Sequence, residues 1–257
     1  MKRKYGQNFL KNDSIIQSII NSAKINHDSV VFEVGPGDGS LTKEIIKKKP
    51  KFFLAIEIDY TLKNFLSKLF SNNDYKIIFE DAIKFNELAY FNKNTVIISN
   101  LPYNISLKLL TKWIFQYLSN NWFQEMILMF QKEVADRLMS LENSKKYGRI
   151  TLLCSAVFEI KKILDVDKKN FYPQPKVDSV VLSFKPLAKP HFNYITIKKL
   201  EFLTKNLFLN RRKKIKNKII QIFNSKTIEE YNLKKYFDLR AENIDKDTFF
   251  KLAKLIN

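Results

Sequence analysis

The sequence predicts an α/β protein with a mostly parallel sheet, followed by a small all-helical domain. Three observations predict it. Short apolar runs alternate with amphipathic stretches through the first two thirds of the chain. From Ile195 onward the apolar spacing is helical almost throughout. Pro186 and Pro190 stand where the pattern changes. Strands alternating with helices need crossover connections, and these pack on both faces of a parallel sheet.

Val30–Val34, Phe52–Ile56, Lys76–Phe79, Val96–Ser99 and Met126–Phe130 are short apolar runs suited to strands buried on both faces. Leu41–Lys48, Thr61–Phe70 and Leu107–Leu118 lie between them with the 3.6-residue period of helices. Glu159–Val166 and Val177–Phe184 bracket a Pro-containing turn and read as an antiparallel hairpin at the sheet edge. In the tail, "LEFLTKNLF", "KIKNKIIQIF" and "DTFFKLAKLI" each carry a helical stripe, and Asp245 is placed to start the last. The expected boundary lies near Phe184–Phe192, giving domains of 1–185 and 186–257.

The chain has 257 residues, 45% of them apolar, which is ample for a core. No run approaches the roughly 20 apolar residues of a membrane helix. The basic start "MKRKYGQNFLKND" lacks the apolar stretch of a signal peptide. Cys154 alone excludes an intrachain disulfide or a Cys-rich zinc site. His27 and His191 have no metal-ligand spacing, so no metal is expected, and a reducing cytoplasm is. Charge is the strongest bulk signal: 45 Lys and Arg against 26 Asp and Glu, a net of +19. From Pro186 to the end there are 17 basic and 7 acidic residues, a net of +10. Uniform codon preference does not concentrate charge in this way, and a polyanionic partner such as nucleic acid explains it. Arg211, Arg212, Lys213, Lys214, Lys216 and Lys218 form the densest cluster. If about six phosphate contacts form, log affinity falls with log salt at a slope of roughly −4.

"VVFEVGPGDGSLT" (Val30–Thr42) runs a strand into Gly35, Gly37 and Gly39 and then a helix. The third glycine arrives one residue early for the dinucleotide fingerprint. The spacing E-x-G-x-G-x-G is the form seen in class I methyltransferases that bind S-adenosylmethionine. That cofactor has no phosphate to cradle; Gly35 and Gly37 let it lie against bare backbone. Glu57, twenty-two residues beyond Gly35, ends the second strand, where a carboxylate accepts from ribose hydroxyls. Asp81 ends the third, where it is placed to accept from an adenine amino group. Each acid alone is an ordinary strand end; three successive strand ends of this kind point to a nucleoside-containing cofactor.

"NLPY" (Asn100–Tyr103) caps the fourth strand, on the side where open α/β sheets bind ligands. A planar amine is methylated when its ring is clamped, its N–H donors are held and its nitrogen faces the donor in line. The Asn100 side-chain carbonyl and the Leu101 backbone carbonyl supply acceptors, Pro102 stiffens the turn and the Tyr103 ring stacks on the base. Phe171, ahead of the Pro-x-Pro of "FYPQPKVDS", is expected to present its ring to the other base face.

Taken with "GQNFL" (Gly6–Leu10), "QKEVADRL", "SKKYGRI", "RRKKIKN" and "RAENI", in this order, the chain resembles the ribosomal RNA adenine dimethyltransferases of the small subunit, the kasugamycin-sensitivity family. The resemblance implies a Rossmann-like class I methyltransferase domain and a small basic helical domain. It implies S-adenosyl-L-methionine as cofactor and four methyl transfers, two to each of two adjacent adenines in a hairpin near the 3′ end of small-subunit RNA. It also implies the immature small subunit as partner, and cofactor contacts at Asn8, Leu10, Gly35, Glu57, Asp81 and Asn100. Asp38, Gln174 and Asn210 depart from the usual family residues. A large-subunit adenine methyltransferase shares the glycine loop and N-[LI]-P-Y, but "YGRI", "PKVDS", "RRKKIKN" and "RAENI" favour the small-subunit family. A DNA adenine methyltransferase needs a larger recognition segment than this tail. A non-catalytic assembly factor would have no need of Asn100, Tyr103, Glu57 and Asp81. A monomer is expected.

Overall fold

The computed structural model describes residues 7–70 and 74–256; Gly6 of the "GQNFL" motif lies outside them. The first described elements are β1 (Phe9–Leu10) and α1 (Asp13–Ser22), the helix capped by Asn12, whose side chain accepts from the Ser14 and Ile15 amides. Then β2 (Val30–Val34), α2 (Ser40–Lys47), β3 (Phe52–Glu57), α3 (Lys63–Leu69), β4 (Tyr75–Phe79), β5 (Thr95–Asn100), α4 (Ser106–Asn120) and β6 (Glu125–Gln131) alternate as expected. α5 (Lys132–Leu138) and α6 (Arg149–Ser155) precede β7 (Phe158–Val166), β8 (Phe171–Tyr172) and β9 (Ser179–Pro186). The tail holds α7 (Thr196–Phe208), α8 (Lys216–Ile222), α9 (Ser225–Glu230) and α10 (Lys246–Lys254), with Asp245 capping α10 by accepting from the Thr248 amide at 2.9 Å.

The main sheet has the order β4-β3-β2-β5-β6-β9-β7. β2 pairs in parallel with β3 and β5, β3 with β4 and β5 with β6, whereas β9 runs antiparallel to β6. The expected hairpin is present as neighbours β9 and β7, but only β7 forms the edge, because β9 is inserted beside β6. Strand order reverses at β2, so the ends of β2 and β5 diverge and leave a crevice there.

Both faces are apolar because both are covered. On one, Ile16, Ile19 and Ile20 of α1 and Leu41 and Ile45 of α2 join Val31, Phe53 and Ile98 in a buried cluster. On the other, the Phe32 ring lies 4.7 Å from Phe91 and 6.3 Å from Trp113, centroid to centroid. α4 is held by Glu87, which is fully buried and accepts from Lys112 Nζ, Trp113 Nε1 and Gln116 Nε2. A buried carboxyl group left without hydrogen-bond donors would be costly, and these three supply them.

The chain forms two compact units. One runs to Ala135 and resumes over Glu159–Pro186; the other comprises Asp136–Phe158 and the residues from Leu187 onward. The second unit therefore takes in α6 as well as the tail, where the sequence reading set one cut at 185/186. Within it, the Phe208 and Phe249 rings stack at 5.6 Å and Tyr147 packs edge-on against Phe208 at 6.2 Å.

Candidate active site

The carboxyl ends of β2, β3, β4 and β5 converge on a cavity of about 310 Å³ in the first unit. It is lined by Asn8, Leu10, Gly35, Gly37, Glu57, Asp81 and Asn100–Tyr103, all singled out in the sequence. Glu33, Phe9, Ile58, Ile83 and Lys108 line it too, and were not. Glu33 had a signal, the acid of E-x-G-x-G-x-G; the apolar residues had none.

The glycine loop explains itself physically. Gly35, Gly37 and Gly39 have φ of +71°, +56° and +74°, the left-handed region that costs other residues roughly 1–2 kcal/mol. At Gly37 there is also no room: a Cβ would lie 2.8 Å from Cε1 of Phe9. The space its side chain would need is filled by an aromatic ring of the protein rather than kept for a ligand. Asp38, one of the departures noted above, accepts from the Ser40 amide at 3.2 Å and forms an ion pair with Lys11. It thus starts α2 and ties the N-terminal segment over the loop.

Glu57 is 5% exposed. Its Oε1 accepts from the amides of Ile58 and Asp59, each at 2.9 Å, and its Oε2 from the Gly37 amide at 3.2 Å. Burial raises its pKa, and these amides pull the other way. Asp81, which lines the cavity, accepts from the Ile83 amide through Oδ1 at 2.9 Å, and its Oδ2 has no partner among the described residues. Glu33 is 1% exposed and takes a hydrogen bond from Thr42 Oγ1 at 2.6 Å. Burial, with Glu57 and Asp38 nearby, lifts its pKa to about 8.

At the β5 end, Asn100 Nδ2 donates to the Asn8 carbonyl at 3.0 Å, while its Oδ1 accepts nothing among the described residues. Its donor side is used by the protein, and among the described residues its acceptor side is not. The Pro102 carbonyl accepts from the Ile105 and Ser106 amides, both at 3.1 Å, and so opens α4 directly after the motif. The Tyr103 hydroxyl sits 2.8 Å from Ser179 Oγ, and burial raises its pKa. That bond anchors the hydroxyl end of the ring to a residue of the "KVDS" motif.

Two expectations need correction. Phe171 does not line the cavity: it is 4% exposed and packs in the core cluster with Leu10, Ile16 and Val166. Its strand pairs with β1, Leu10 opposite Phe171, and the side chains of both enter the core. The ring therefore has no open face for a base. In the second unit, Arg211 Nε donates to Glu242 Oε2 at 2.7 Å and its guanidinium donates to the carbonyls of Ser144 and Tyr147 at 3.1 and 2.8 Å. It is a structural tie, and its charge is already answered. Lys214 pairs with Asp238 at 2.6 Å and Lys218 reaches Gln221 at 3.2 Å. Arg212 and Lys213 are exposed without partners among the described residues, and the exposed Lys216 lies 5.8 Å from the Phe237 ring.

The donor set fits S-adenosylmethionine: a bare-backbone turn, oriented carboxylates at successive strand ends and apolar walls from Ile58 and Ile83. Among the described residues no group of His, Cys, Asp or Glu suits a metal ion.

The family model for ribosomal RNA adenine dimethylase matches residues 1–257. This chain belongs to that family. The ribosomal RNA small subunit methyltransferase A of Pelagibacter ubique is 40% identical to it, over 98% of this chain and 95% of its own length. A dimethyladenosine transferase from Plasmodium falciparum superposes with a TM-score of 0.78 at 27% identity, covering 95% of each chain. The 23S rRNA methyltransferase ErmE, at 21% identity and a TM-score of 0.71 over 97% of this chain and 99% of its own, shares the fold. The dimethylase is thus a class I methyltransferase that uses S-adenosylmethionine, and ribosomal RNA is its substrate. No described helix is long and apolar enough to cross a membrane.

Proposed function

We propose that this dimethylase methylates the N6 amino groups of two adjacent adenines in a hairpin near the 3′ end of small-subunit ribosomal RNA, twice each. The observation that carries the reading is the Asn100 amide, which lines the cavity, donates to the Asn8 carbonyl and accepts nothing among the described residues. Names of relatives support the small subunit over the large one.

When bound, S-adenosylmethionine supplies a methyl group on a positively charged sulfur. The residues of the chain do the rest. Asn100 Oδ1 and the Leu101 carbonyl accept the two N–H groups of the target amine and turn its lone pair toward the cavity. Tyr103 clamps the base, its ring held by Ser179. No base need act first, because the amine loses its proton after it has gained the methyl. Such positioning is the main contribution available to a site of this kind. Arg212, Lys213 and Lys216 hold RNA phosphates, and the protein works as a monomer on immature small subunits in the cytoplasm.

The test is made on small-subunit particles from cells lacking the modification. Incubation with the protein and S-adenosylmethionine, then digestion and mass spectrometry, is expected to yield N6,N6-dimethyladenosine, lost with Asn100→Ala. Binding of particles without any modification would make the chain an assembly factor. Appearance of N6-methyladenosine in large-subunit RNA instead would move it to the sister activity.

A further inference from the structure

The strand that buries Phe171 exposes the next residue. Tyr172 is 71% exposed, and its side chain makes no ring contact or hydrogen bond among the described residues. Its position is not arbitrary. β1 and β8 pair antiparallel with Phe9 opposite Tyr172 and Leu10 opposite Phe171. Opposed residues of such a pair project from the same face, and successive residues from opposite faces. Leu10 and Phe171 go into the core. Phe9 goes the other way, its ring against Gly37, and lines the cavity, which Leu10 also borders. Tyr172 therefore stands on the Phe9 face, one cross-strand step (about 5 Å between Cβ atoms) from the cavity wall, with its ring in solvent.

We propose that the Tyr172 ring is a stacking platform for the base next to the adenine being methylated. The inference rests on the RNA-methylating reading above. A base that enters the cavity leaves its stack, and its neighbour loses a partner in the process. With two adjacent target adenines, that neighbour is itself a substrate and must stay close. The target base has its own ring in Tyr103, which lines the cavity; Tyr172 does not line it and stands outside, where the neighbour lies. The surrounding charge suits RNA. Lys168, Lys169 and Lys176 lie within four residues of Tyr172 in the chain and form no ion pair among the described residues, and the exposed Asp167 and Asp178 of the same stretch accept from backbone amides. An exposed ring with lysines close by in the chain is the combination that single-stranded nucleic acid favours, with stacking on the ring and phosphates on the ammonium groups.

The experiment compares wild type, Tyr172→Ala and Tyr172→Phe on undermethylated small-subunit particles, with S-adenosylmethionine affinity measured by calorimetry. Tyr172→Ala is expected to raise KM for particles about ten-fold, the loss typical of one base–aromatic stack. Cofactor affinity stays unchanged, and so does the slope of log KM against log salt, because no charge is removed. Tyr172→Phe returns KM to within about two-fold of wild type, since stacking uses the ring. An unchanged KM in Tyr172→Ala, or an equal loss in Tyr172→Phe, overturns the platform while the activity reading stands. Failure of the wild type to modify the particles overturns both.

Discussion

Replacing Glu33 by Gln tests the electrostatics of the cavity directly. Glu33 is 1% exposed and its pKa is lifted to about 8 from an ordinary value of 4.5. Between those two values the folded protein holds a proton that the unfolded chain has lost, so stability conferred by Glu33 falls as pH rises. A lift of that size spans about 3.5 units, and each unit is worth about 1.36 kcal/mol. Integrated from pH 5 to pH 7.5, the loss is roughly 3 kcal/mol. Gln matches the neutral acid in shape and still accepts from Thr42, but it does not titrate. Glu33→Gln is therefore expected to lie near wild type at pH 5 and to exceed it by roughly 3 kcal/mol more at pH 7.5. Urea unfolding of the cofactor-free protein at half-unit pH intervals measures the gap, with equal m-values as the check that only stability changed. A gap that stays constant across this window would refute the assignment of a buried, neutral Glu33.

The remaining expectations follow from single contacts. Gly37→Ala meets both left-handed strain and the Phe9 ring, whereas Gly35→Ala meets strain with only an ordinary contact, its Cβ 3.6 Å from Pro102. Thermal melts are expected to rank Gly37→Ala below Gly35→Ala, and calorimetry to show the weaker cofactor binding in the former. Tyr103→Phe loses only the Ser179 bond and is expected to keep transfer within a few-fold, while Tyr103→Ala loses the stack and about 10- to 100-fold in kcat/KM. Arg211→Gln breaks charge-assisted hydrogen bonds and is expected to cost about 2–3 kcal/mol of stability. Changing Arg212, Lys213 and Lys216 together to Gln is expected to leave the melt unchanged but flatten the salt slope of RNA binding by about 2 to 3.

The parallel strands were legible because burial on both faces makes each an unbroken apolar run, and their ends carried the glycines and acids within a few residues. Local chemistry also exposed "NLPY" and the cap at Asp245, since a turn or cap depends on neighbours in sequence. Other features depend on residues far apart in the chain. β1 and β8 are two residues each, too short for any periodicity, yet their pairing joins Phe9 to Tyr172 and sends Phe171 inward. The Pro-x-Pro after it named Phe171 as the presented ring, because a rigid turn shows where a ring is held but not whether it faces the cavity or the core. Likewise a run of basic residues cannot reveal that Arg211 is answered by Glu242 and by the Ser144 and Tyr147 carbonyls, more than thirty residues away in each case. The sequence by itself determined the sheet, the strand-end acids and the family motifs. Tertiary structure decided which side chains have a free face, because exposure and hydrogen-bond satisfaction are set by partners that only folding brings together.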